Sequence, residues 1–359
     1  MKRSMVLAAM TVCLLCGTTM AVQVPEELLD ALPKGAEELL EDVDLTSADS
    51  LAEGAMIIIR EMGDRTEAVL RQRVRNVAAV LLVVILCGAV NGFGSDALGR
   101  TPPFLNMTGG ITVTLLTAGS LDSLIGLGGE TIRQLNDFSK VLLPTMATAV
   151  AAGGMVSGAA VHQVSTALCV DMLLNLIHGV LLPVLYLYIG VLTAGLCLEE
   201  KCLQSVADLM KRGISWVLTT ALVVFTMYLS VVRVVSGTAD GMAVRVTKTV
   251  ISGVVPVVGG IISEASETLL VGAGVLKNTV GILGMLAVLA VCAYPFLQLG
   301  IQYLLYKAAA FLAEIVGTKE LCKLIHGLGG AFGLMLGMTG ACALLLLVSI
   351  LAAVSMTVL

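Results

Sequence analysis

Charge is scarce in this sequence. Only 13% of its 359 residues are Asp, Glu, Lys or Arg, about half the ~25% usual in soluble domains. A solvated globular surface over most of the chain is therefore excluded. Aromatic residues stand at 4%, with one tryptophan, and there are eight prolines. No basic stripe of the kind that binds nucleic acid is visible, so no nucleic-acid partner is expected. The phosphate-binding GxxxxGK[ST] loop, HExxH and GxSxG are all missing, and the nine cysteines form no metal-type Cys/His array. The chain is read as a non-enzyme without a cofactor.

What fills the space is apolar. Hydrophobic residues make up 57% of the chain and glycine supplies 38 positions, giving a mean hydropathy of +0.98. Apolar runs at 77–93, 108–127, 141–161, 166–197, 214–235, 279–305 and 330–357 approach or exceed the ~20 residues that cross a bilayer. Small residues at helical spacing, such as Gly333 with Gly337, let helices approach closely. The expected fold is all-α: a polytopic transmembrane bundle of about seven to eight segments, some broken or re-entrant. Cys197 and Cys202 flank a polar turn and would pair only on an oxidising side; unpaired cysteines are the plainer reading.

MKRSMVLAAMTVCLLCGTTMA opens basic, turns apolar and ends in small residues at Ala21, the pattern of a signal peptide; an uncleaved anchor is the alternative. Between Val24 and Ile59 stand ten acidic residues against one lysine, Lys34. Leu51, Ala55, Ile58, Met62, Val69 and Val77 then form one helical apolar stripe. That stripe suits a lipid surface, a partner helix or the chain's own membrane domain. Residues 22–76 form an extracytoplasmic region on this reading and 77–359 the membrane domain. The five arginines of 60–75 argue for the opposite orientation under the positive-inside bias, but a signal peptide usually prevails. The segment KAAAFLAEIVGTKELCKLIHG (307–327) reads as an interfacial helix.

Pro144 and Pro183 are 39 residues apart, as are Pro256 and Pro295, and the pairs are offset by 112 positions (256−144 and 295−183). Gly/Pro-broken segments at matching positions are how inverted-repeat transporters are built. Units near 130–197 and 242–309 could therefore be inverted copies.

Polar residues inside apolar runs are the site candidates, because in lipid they must face protein or water. Asp171, Asn175 and His178 share one helix face at i, i+4 and i+7. Asp122 lies in another run, and Gln298 and Gln302 in a third. They suit either a proton or ion relay or a packing hydrogen-bond cluster. Glu264 and Glu267, in VPVVGGIISEASETLLVGAG, suit a pore-lining face or an interfacial helix.

With its acidic LPKGAEELLEDVDL segment, NDFSKVLLPTMAT and PVVGGIISEASETLL, the whole chain resembles the stage III sporulation protein AE family. That resemblance implies a permease-like, multi-spanning subunit in the mother-cell membrane around the forespore. Its implied partners are the other membrane proteins of a channel- or secretion-like complex needed for spore formation. It assigns no catalytic residues, and self-association is left open. The rival expectation is a self-sufficient secondary transporter.

Overall fold

The computed structural model describes residues 26–33, 50–98, 103–152, 156–198, 201–254, 259–316 and 318–355. The signal-peptide reading and most of the acidic segment fall outside the described residues. Within them the chain is helical: α1 (Glu26–Asp30), α2 (Ser50–Leu98), α3 (Pro103–Ala152), α4 (Val156–Leu176), α5 (Leu182–Cys197), α6 (Lys201–Val254), α7 (Gly259–Val316) and α8 (Lys319–Val354). Six helical stretches among the described residues are long and apolar enough to cross a membrane. The multi-pass all-α architecture is as the hydropathy predicts.

The helices differ from the apolar runs in one respect: they are much longer. At 1.5 Å per residue, the 50 residues of α3 span about 75 Å, more than twice a ~30 Å hydrocarbon core. Runs 108–127 and 141–161, read as separate spans, share α3. The polar segment between them stays helical because Ile132, Leu135, Phe138 and Leu142 bury one face in the core, while Arg133 pairs with Glu130 at 2.5 Å and Lys140 with Asp137 at 2.9 Å on the exposed side. Likewise α2 runs unbroken across positions 76 and 77.

Proline breaks fewer helices than expected. Pro144 and Pro295 lie inside α3 and α7. Before Pro183 the chain adopts a π-helical turn, Ile177–Leu181, in which the Leu182 N–H reaches back to the Ile177 carbonyl. Proline has no N–H to offer the carbonyl four residues earlier, and the wider turn absorbs that mismatch, joining α4 to α5. Conversely, 307–327 is not one interfacial helix. It is a corner, with Thr318 extended and capping α8 by accepting from the Leu321 N–H at 3.5 Å.

The antiparallel pair α7–α8 forms the centre, since 61% of its apolar windows is buried against 17–39% in the other spans. Rings of α7 sit on glycines of α8. A methyl added to Gly329 would lie 3.0 Å from Tyr306 Cβ, one on Gly333 2.9 Å from the Tyr303 ring, and one on Gly340 3.1 Å from Phe296. Gly337 instead faces Leu218 of α6, so the Gly333–Gly337 pair serves two different neighbours. Around this hairpin, α2 lies along α7 and α3 crosses both, bringing Gly128 to Met335 and Thr339 and Gly284 of α7 to Leu142. The described cysteines, Cys197 and Cys202 among them, are free.

Candidate functional site

Polar groups in this bundle fall into a buried set and an outward set. In the buried set, Arg73 of α2 donates from Nη2 to Gln298 Oε1 of α7 at 2.8 Å, with both residues 9% exposed. One turn along α7, Gln302 is fully buried and neither its Oε1 nor its Nε2 has a hydrogen-bond partner. Thr117 and Tyr306 share a 2.8 Å hydrogen bond between α3 and α7, and the Tyr306 ring packs on Phe332. Tyr188 of α5 donates to the Gly327 carbonyl of α8 at 2.9 Å. These contacts fasten helices together, since hydrogen-bonded polar groups are the ones an apolar interior tolerates.

The outward set holds the residues expected to form a relay. Asn175 Nδ2 donates to Asp171 Oδ2 at 3.0 Å across one turn of their common helix face. That face, however, points away from the core: Asp171, Asn175 and His178 are all exposed. Their neighbours on the outer surface are apolar, with Leu168 66%, Met172 73% and Val180 50% exposed. Asp122 of α3 is also exposed. The structure brings Gln298 and Gln302 together in the core and leaves the acids outside it. Glu264 and Glu267 lie on α7, but their side chains are outside the described residues.

Two features escape a reading of the sequence. The first is Arg73, one of five similar arginines and the only one of them buried; it meets Gln298 across 225 positions. The second is a 380 Å³ cleft near the Thr318 corner, lined by Tyr188, Gln204, Asp208, Lys211, Lys323 and His326 among others. Lys307 Nζ lies 3.3 Å from His326 Nε2 and 5.6 Å from the Tyr303 ring centre at the same end. Glu314 and Glu320 also line this cleft, so its charge is mixed and favours no single sign of ligand. No cluster of three or more His, Cys, Asp or Glu suited to a metal ion occurs among the described residues.

Comparison with known proteins places this architecture. The sequence profile described as stage III sporulation protein AE matches residues 56–357. The stage III sporulation protein AE of Bacillus subtilis strain 168 is 26% identical over 212 residues, which cover 58% of this chain and 52% of that protein. The chain thus spans about half the length of the curated relative it matches. No solved structure matches it.

Proposed function

The chain belongs to the stage III sporulation protein AE family, and from that premise we propose that it is a non-enzymatic, permease-like subunit of a channel- or secretion-like complex required for endospore formation. Its place on this reading is the mother-cell membrane around the forespore, with its acidic N-terminal region outside the cytoplasm. Its partners are other membrane proteins of the same complex, and its opposed proline pairs are kept as a proposed inverted repeat.

One observation carries the subunit reading over a self-sufficient transporter. Asp171, Asn175 and His178 form a polar stripe on the outer surface of an apolar segment. A transporter relay would need those groups turned inward. Left against lipid an aspartate is costly, up to about 2.5–3.5 kcal/mol at the bilayer centre on insertion scales. A neighbouring protein that hydrogen-bonds the stripe removes that cost, so the surface suits a chain that works in company.

Replacement of Asp171 by leucine tests this. Because Asp171 is exposed, the variant should insert and accumulate normally, yet heat-resistant spore yield should fall steeply. Full spore yield from a well-expressed Asp171→Leu chain would mean that the stripe serves no partner. For the rival reading, solute uptake by the purified chain alone in liposomes is the deciding result.

A further inference from the structure

The two sides of this bundle disagree about their surroundings at one and the same height. Three sets of contacts fix that height. In α2, a methyl on Gly54 would meet Leu286, while Arg73 binds Gln298, so residues 54–73 lie beside 286–298. In α3, Gly128 faces Met335 and Thr339, and Leu142 faces Gly284, which also adjoins Ile350. Residues 128–142 therefore lie beside 335–350. In α6, Lys211 lies beside Gly330 and Leu218 beside Gly337, so 223–231 continue along 342–350.

At this common level α6 presents bare aliphatic side chains, with Val223 55%, Val224 61%, Met227 65% and Val231 57% exposed. The α2 and α3 surface presents charge instead. Glu67 and Arg71 are 84% exposed, and Arg133 and Lys140 are 65% and 61% exposed. A polar furrow of 880 Å³ runs along α2 from Asp64 to Asn76. A segment standing wholly in water would not leave so many large apolar side chains bare, with the hydroxyls between them, Thr226 and Ser230, turned onto their own helix carbonyls. A segment standing wholly in lipid would not turn this many ionised groups outward, since each is costly there unless it meets protein or water.

We infer that the α2–α3 face, over residues 60–76 and 130–140, is a water-facing wall at membrane depth, with α6 turned to lipid on the other side. This deepens the channel-subunit reading and rests on it: the wall is this chain's contribution to an aqueous path through the complex. Apart from buried Arg73, positions 60–75 and 130–140 hold six cations against five acids, several of them paired along their own helices. Such a wall carries almost no net charge. It suits passage of polar solutes of either sign and not selection of one ion.

Site-resolved thiol labelling in membranes of sporulating cells tests the wall. Gln72→Cys and Gln134→Cys place reporters on it without removing a charge, and Met227→Cys reports on the α6 face. Modification by a charged, membrane-impermeant methanethiosulfonate, applied from each side in turn and located by peptide mass mapping, leaves the native cysteines in place. Positions 72 and 134 should react roughly tenfold or more faster than 227, because the reactive thiolate needs water. Position 227 should stay inert to the charged reagent in the intact membrane and react with it once the protein is unfolded in denaturant. Inert cysteines at 72 and 134 would overturn the wall, as would a 227 reactive to the charged reagent. Arg71→Cys gives the same reading should either glutamine variant fail to accumulate. Normal labelling with unimpaired sporulation in an Asp171→Leu strain would remove the subunit reading and leave the wall standing.

Discussion

Replacing Gln298 by leucine will lower the stability of the detergent-purified protein by about 1.5–3 kcal/mol, the range for losing a hydrogen bond to a charged group. Gln298 Oε1 accepts from Arg73 at 2.8 Å, and Arg73 is 9% exposed. Leucine fills similar space but leaves the guanidinium without that acceptor. The double variant Arg73→Met/Gln298→Leu should recover most of the loss, because a buried polar pair replaced together by apolar groups of similar volume costs little. Thermal unfolding of the four proteins in one detergent gives the coupling directly. A double variant as unstable as the sum of the singles would show that the two residues act independently.

A comparable loss is expected at Gly329. A methyl there would already lie 3.0 Å from Tyr306 Cβ, an atom fixed to the backbone that cannot swing aside as the end of a flexible side chain can. Gly329→Leu must push α7 and α8 apart, pulling Tyr306 from Thr117 and Phe332. Overpacking of this kind costs about 3 kcal/mol, the upper end of the usual range. The same leucine at Gly300, where an added methyl meets nothing within 4 Å, should be neutral or mildly stabilising, since leucine forms helix better than glycine. Equal effects at the two positions, read by the same unfolding assay, would refute close α7–α8 contact as the source of stability.

The sequence signals that succeeded and failed have physical reasons. Apolar length marks the spans reliably, because lipid demands it. Apolar length says nothing of where a helix ends, and Glu130–Lys140 stays helical because Ile132, Leu135 and Phe138 are buried between its charges. The apolar spacing of 307–327 is helical on both sides of Thr318 and does not mark the corner, where the Thr318 side chain caps α8. Of the stripe at Leu51, Ala55, Ile58, Met62, Val69 and Val77, which periodicity marks without saying what it meets, Ile58 and Val77 are 4% exposed and the rest half-buried. What it packs against, α7, is a tertiary fact. Asp171 and Asn175 share a face because i, i+4 spacing guarantees it. Whether that face turns inward depends on neighbouring helices, and hydropathy is silent on that. Arg73 is distinguished from four other arginines only by Gln298, far along the chain.

The central claim is that this membrane chain serves spore formation in company with other proteins, and the heat-resistant spore count of a strain lacking its gene tests it most directly. The count should collapse while vegetative growth continues unchanged, and it should return when the intact chain is supplied in the mother cell. An undiminished count in the deleted strain would contradict the account.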